Sequence, residues 1–323
     1  MSLRDPSDIN KFNKRSINVV IADGGMGDLI CGLVPVNHML EHSPWINPLV
    51  WVPDFLKDFT KHVLPDRAIV RGLSEGKKKF DDTKLAVTLK WTTMHTALRT
   101  NPVEYAYHQL CDMVPTEAEC SYLKIRPDEI SLGNIILPEK YVVIQGTFAA
   151  KVKAMPIDTF NQLVTYCKDK GYEVVVIGKS ENMTGSSLGI SIKYDTNNYD
   201  FSNCINYIDK FNVLQTAKVI NNARLFICMD GGPMHIGACT DTPIVAGLTF
   251  VTPRHIGPTR NGKKNWGCYY IEPDPDLGCR GCQSNLNLAF GHDFRNCLYG
   301  DLKCLEYMTF ENFKQQIESN GLL

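Results

Sequence analysis

The sequence predicts an α/β protein made of two successive halves with a cleft between them. Short runs of valine, isoleucine and leucine alternate with longer stretches of helical character, the pattern of parallel strands joined by crossover helices. That alternation breaks once, over residues 114–138, where prolines are scattered and no period is sustained, and then restarts. A chain of 323 residues accommodates two domains at roughly 100–200 residues each. The expected division is 1–138 and 139–323, with the last helix able to pack back on the first domain.

In the first half, Asn18 to Asp23 reads as a strand because it is a short β-branched run closed by a glycine-rich turn, Gly24-Gly-Met-Gly27. The apolar stretch from about Asp28 to Glu41 is too long for a strand and reads as a helix. Pro48 to Pro53 is a second strand, and Asp54 to Leu64 a helix with an acidic start. Ala68 to Arg71 and Lys84 to Leu89 are further strands, and Pro102 opens a helix that runs to Met113. In the second half, Tyr141 to Gln145, Glu173 to Gly178, Leu225 to Met229 and Pro243 to Gly247 are continuous apolar runs, as strands buried on both faces should be. Helices are expected at Pro156 to Lys170, Asp209 to Asn222 and Pro233 to Thr240. Residues 250–306 are rich in Gly, Pro, Asn and Cys and read as loops, and Thr309 caps a final helix to Ser319 with Glu311 in its first turn.

Charge and hydropathy narrow the classes. Lys plus Arg is 34 and Asp plus Glu is 35, a net charge of −1 divided evenly between the halves. No global cationic field exists to drive nonspecific binding to nucleic acid or acidic membranes. No apolar run approaches the ~20 residues of a membrane span. Met1 to Asn18 is polar, without the apolar core of a signal peptide, so a cytoplasmic location is expected.

Of the twelve cysteines, eight are scattered singly. Several, such as Cys31, Cys167, Cys228 and Cys239, lie in apolar surroundings and read as small buried hydrophobes. The other four are gathered as Cys279-x2-Cys282-x14-Cys297-x6-Cys304. Reduced thiols, a structural zinc ion held by four thiolates, or disulfides all fit that spacing, and a reducing compartment disfavours the last. Each gives the segment a structural role.

Three turns carry candidate chemistry. The first, Asp23-Gly-Gly-Met-Gly-Asp28, lets the backbone bend sharply and sets a carboxylate near a helix start, at the sheet edge where α/β proteins bind ligands. Its spacing is not G-x-G-x-x-G, and Asp28 reads equally as a helix-start carboxylate favoured by the macrodipole. The second, Asp230-Gly-Gly-Pro-Met-His235, ends a strand and starts a helix at Pro233. Amides of Gly231, Gly232 and Met234 there suit a diphosphate, flanked by Asp230 and His235; Asp230 alone reads as well as a helix cap. The third, Gln145-Gly-Thr147 to Lys151-Val-Lys153-Ala-Met-Pro156, holds two lysines able to neutralise phosphate, or simply solvated on a loop. Lys77 to Lys79 and Asp274-Pro-Asp276 read as loops, and no G-x-S-x-G, H-E-x-x-H or P-loop lysine motif is present.

Taken in order, these segments resemble glycosyltransferase family 9, the ADP-heptose:lipopolysaccharide heptosyltransferases. The matching residues are Gly27-Asp28, Lys153-Ala-Met-Pro156, Gly178-Lys-Ser-Glu181, Asp230-Gly-Gly-Pro-Met-His235-Ile-Gly-Ala-Cys239 and Thr242-Pro-Ile-Val-Ala246. The likeness spans roughly residues 18–315 and is strongest over 141–260. The first half beyond its opening helix, and residues 250–265, depart from the family pattern. The resemblance therefore implies the transferase chemistry more than a particular sugar or acceptor.

What it implies is a GT-B fold of two Rossmann-like domains and an inverting transfer from a nucleotide-diphosphate sugar, ADP-heptose-like, to a hydroxyl of a glycan or lipopolysaccharide. Asp28 would be the general base. Lys153 and the turn Asp230, Gly231, Gly232, Pro233, Met234 would meet the diphosphate, with Thr147 and His235 beside it and Glu181 on the ribose. Fixed dipoles and Lys153, not a metal ion, would stabilise the leaving group. Transfer to modified phage DNA, nucleotide-sugar epimerisation and noncatalytic nucleotide-sugar binding are the alternative readings.

Overall fold

The computed structural model describes residues 16–21, 24–43, 47–76, 86–89, 101–148, 150–180, 199–282, 297 and 299–323. The first half is a four-stranded parallel sheet, order β3-β2-β1-β4. Its strands are β1 (Ser16–Ile21), β2 (Asn47–Val52), β3 (Ile69–Gly72) and β4 (Ala86–Leu89). Helix α1 (Met26–His42) follows β1 and buries Leu29, Ile30, Leu33, Val36 and Leu40. Helix α3 (Pro102–Cys111) packs along it, N-capped by Asn101, whose side chain accepts from the Val103 amide. The predicted helix after Pro53 is divided: a 3-10 turn, Asp54–Leu56, precedes α2 (Lys57–Val63).

The second half is a six-stranded parallel sheet with edge strands β12 (Cys268–Ile271) and β7 (Ile205–Asn206), in the order β12-β9-β8-β5-β6-β7. Its core strands, β5 (Tyr141–Gln145), β6 (Glu173–Ile177), β8 (Phe226–Met229) and β9 (Ile244–Gly247), lie within two residues of their predicted bounds. Period-two alternation explains why β5 has no polar face. Val142 and Ile144 join a cluster with Phe160 and Leu163 of α4 (Ile157–Asp169), whereas Tyr141 and Val143 face α5 (Val213–Asn221) and α6 (Gly232–Ala238). The final helix α7 (Phe310–Ser319), capped by the Thr309 hydroxyl, buries Phe313 and Ile317 against α4 and the second sheet.

Three elements differ from expectation. Helix α5 begins at Val213, because Asn212 and Gln215 exchange side-chain and backbone hydrogen bonds as a capping box, 2.8 and 3.2 Å. The loop-rich stretch after residue 250 contributes strand β12 (Cys268–Ile271) to the sheet edge and a hairpin, β10 (Thr259–Arg260) with β11 (Lys263–Lys264). Asn261 and Gly262 both take positive φ in its turn, 52° and 73°, as the commonest two-residue hairpin turn requires.

The linker 114–138 is not a free tether. Tyr122 donates its amide to the Thr259 carbonyl at 2.9 Å and Ile125 donates to Cys239 at 3.1 Å, so the segment lies on the second half. One apolar cluster runs from α1 through Tyr122 and Ile125 to Ile236 of α6 and joins the halves.

Candidate active site between the halves

Parallel strands place their carboxyl ends together, and three turns at those ends meet where α1 approaches α6. Asp28 sits in the first turn of α1, partly buried, its Oδ2 accepting the Gly25 N–H at 2.8 Å. The carboxylate therefore caps its own helix and is held in orientation by that bond. On the second half, Asp230 follows β8 and donates its amide to the Gly247 carbonyl at 3.0 Å. Its carboxylate is 6% exposed and pairs with Lys153 Nζ at 2.9 Å, while Lys153 lies over the Phe250 ring at 5.0 Å. Lys153 is thus a paired lysine rather than the solvated one that its loop position allows.

The turn after Asp230 differs in detail from the sequence expectation. The Met234 amide donates to the Gly231 carbonyl at 3.1 Å, and the Met234 side chain is fully buried, so this residue offers no N–H to a ligand. Gly231 and Gly232 amides have no partner among the described residues. A Cβ on Gly232 would stand 3.0 Å from the Cβ of Met26 in the first half, whereas one on Gly231 would meet only Pro233, at 3.8 Å. Pro233 follows Gly232, the first residue of α6.

Thr147 is buried and braces the neighbouring turn. Its hydroxyl accepts the Lys179 amide at 3.0 Å and its carbonyl accepts from Gln145 Nε2 at 2.7 Å. The Gly178-Lys-Ser turn is pinned further by Asp209, which takes both the amide and the hydroxyl of Ser180, at 3.0 and 2.6 Å. Glu181 lies outside the described residues, as do Asp23 and Lys77 to Lys79.

His235 is 6% exposed, and burial holds its imidazole below the ordinary histidine range although Asp230 and Asp28 pull the other way. It is neutral at pH 7. Its Nδ1 lies 2.7 Å from the Tyr122 hydroxyl, which in turn lies 2.9 Å from Cys31 Sγ. The Cδ2–Nε2 edge packs on Gly27: a Cβ there would fall well inside contact distance of Cδ2 and 2.9 Å from Nε2. Sequence reasoning missed Tyr122, because nothing in a linker without period distinguishes one tyrosine. It placed Cys31 rightly as buried but gave it no partner.

None of the twelve cysteines is joined in a disulfide. Cys279 and Cys297 are partly exposed, Cys282 and Cys304 buried. Burial, reinforced by Cys297, Cys279 and Cys282, pushes the Cys304 thiol up to about 12. Among the described residues, no three His, Cys, Asp or Glu side chains are gathered closely enough to hold a metal ion. No helix among them is long and apolar enough to cross a membrane.

The family model of glycosyltransferase family 9 (heptosyltransferase) matches residues 83–280 of this chain. The chain belongs to glycosyltransferase family 9. Solved structures agree in fold. TibC from an enterotoxigenic E. coli, described as an iron-containing dodecameric glycosyltransferase, is 15% identical over 96% of this chain and 76% of its own, with a TM-score of 0.70. A family 9 glycosyl transferase from Veillonella parvula gives 14% identity, 95% and 97% coverage and 0.59. E. coli heptosyltransferase WaaC, solved with ADP, gives 13%, 95% and 98% coverage, and 0.54. No curated protein matches the chain. The fold is two Rossmann-like domains in GT-B arrangement, and glycosyl transfer is the chemistry of the family.

Proposed function

We propose that this glycosyltransferase 9 member is an inverting enzyme that moves a sugar from a nucleotide-diphosphate donor of the ADP-heptose kind to a hydroxyl of a glycan or lipid-linked acceptor in the cytoplasm. The observation that carries the reading is the apposition of Asp28, on the first half, with the Lys153–Asp230 pair and the Gly231–Gly232 turn on the second. In this reading the acceptor oxygen attacks the anomeric carbon, the carbon–phosphate oxygen bond breaks, and the electron pair leaves with the diphosphate. Asp28 takes the acceptor's proton on its oxygen not engaged by Gly25. Such a base contributes about 10²–10⁴-fold. The amides of Gly231 and Gly232 and the Lys153 ammonium receive the departing charge as preorganised dipoles, so the transfer requires no metal ion. Glu181 serves the ribose, and Asp230, Pro233 and His235 shape the phosphate side, with Thr147 and Met234 supporting their turns from within.

The cysteine segment stands apart from that chemistry. TibC is described as iron-containing. The spacing Cys279-x2-Cys282-x14-Cys297-x6-Cys304 supplies four soft thiols of the kind that zinc or iron takes, and we propose that they hold one structural metal ion when it is bound, drawing together from the separated positions described above.

Thermal unfolding with ADP-, UDP-, GDP- and TDP-sugars tests the donor. A ligand at roughly 100 times its dissociation constant stabilises by about 2.7 kcal/mol, and the ADP-sugar is expected to give the largest shift. Donor binding without transfer to any saccharide acceptor would favour an epimerase or a noncatalytic binding protein instead.

A further inference from the structure

The histidine in the cleft ends a buried hydrogen-bonded chain drawn from three separate parts of the sequence. Cys31 comes from α1, Tyr122 from the linker and His235 from α6, and each is less than a tenth exposed. The Tyr122 and His235 rings stack at 5.9 Å with 16° between their planes, so the phenol cannot swing away without unpacking both. Tyr122 oxygen stands 2.7 Å from Nδ1 and 2.9 Å from Cys31 Sγ. Its single proton must go one way. A phenol is a stronger donor than a neutral imidazole N–H, and imidazole nitrogen a stronger acceptor than sulfur. The Cys31 thiol keeps its proton, because burial raises it far above the ordinary cysteine range, and can donate to the phenol oxygen. The chain then runs Cys31 S–H to Tyr122 oxygen and Tyr122 O–H to His235 Nδ1. A neutral imidazole that accepts at Nδ1 carries its proton on Nε2.

Nε2 lies on the edge against Gly27, next to the turn that holds Asp28. It has no partner among the described residues, yet it is not among the polar atoms sealed from solvent. Asp28, Asp230 and Lys153 are the charged groups that act on this imidazole. We infer that Tyr122 is a positioning residue that fixes His235 as the Nε2–H tautomer and presents that proton to the anionic part of the donor. The identity of the anion rests on the transferase reading; the tautomer does not.

The test uses the full chain. Nitrogen-15 NMR, with the His235 signal assigned by its loss in His235→Gln, is expected to show Nδ1 unprotonated and Nε2 protonated. In Tyr122→Phe, which keeps the ring, the two tautomers should mix. Cys31→Ser, whose hydroxyl can still donate, should keep the wild-type signature. Calorimetry with ADP at pH 6 to 8 should show binding to Tyr122→Phe weakened about 10-fold, with a changed pH profile, as loss of one oriented hydrogen bond to a charged group predicts. A proton on Nδ1 of the wild-type protein overturns the inference, and that spectrum decides even if Tyr122→Phe fails to fold. So does a Tyr122→Phe protein indistinguishable from wild type in both measurements. If ADP does not bind the wild type, the ADP-donor reading and the anion's identity fall, while the spectrum still decides the tautomer.

Discussion

Asp28 has two tasks that a single substitution can separate. Its Oδ2 caps the Gly25 amide, and the other oxygen is the proposed base. Asp28→Asn retains an acceptor oxygen for Gly25 while losing basicity. Turnover should fall by about 10²-fold or more, with donor affinity and melting temperature near wild type. Asp28→Ala should add a stability loss of about 1 kcal/mol from the missing cap. Steady-state kinetics beside thermal unfolding reads both, and wild-type turnover in the asparagine variant would remove Asp28 from the base's role. The neighbouring pair behaves differently. Lys153 and Asp230 neutralise one another at 2.9 Å, so removing the lysine also leaves a buried carboxylate facing an incoming diphosphate.

At the scale of elements, β5, β6, β8 and β9 were legible because a strand covered on both faces is a continuous apolar run that nothing else explains. Helix starts were less so. Helix α5 is expected from Asp209, but Asn212 and Gln215 form the capping box that starts it, and the Asp209 carboxylate serves Ser180 instead. The hairpin at Asn261-Gly262 carried a readable turn signal that the surrounding loop composition masked. The cysteine segment showed its spacing but not its packing. Elemental analysis of the purified protein is expected to find about one zinc or iron per chain, and a chelator should lower the melting temperature. Absence of metal, with all four thiols titratable, would leave a cluster of reduced cysteines.

At the scale of the whole molecule, the proposed site lies where the halves touch. Gly27 and Gly232 are two points of close contact between them: a side chain on the first would meet His235, and one on the second would meet Met26. Gly27→Ala should therefore cost about 1–3 kcal/mol by overpacking and lower turnover, while circular dichroism reports unchanged secondary structure. Unchanged stability and turnover would show that the cleft opens freely at this point. Gly231, whose Cβ has room, is the better place to probe the amide turn without disturbing the domain contact.

The sequence by itself determined the α/β class, the two-part chain, the three turns and the residues that tie them to glycosyltransferase family 9. Those properties are written in local periodicity and in short motifs, which need no knowledge of the chain's return path. Tertiary structure decided the rest. It paired Lys153 with Asp230, used up the Met234 amide, sent the last helix to the second half and set Tyr122 between Cys31 and His235. Tyr122 and His235 are 113 residues apart. Contacts at such separation depend on how two packed cores meet, and neither the composition nor the period of either segment encodes that meeting.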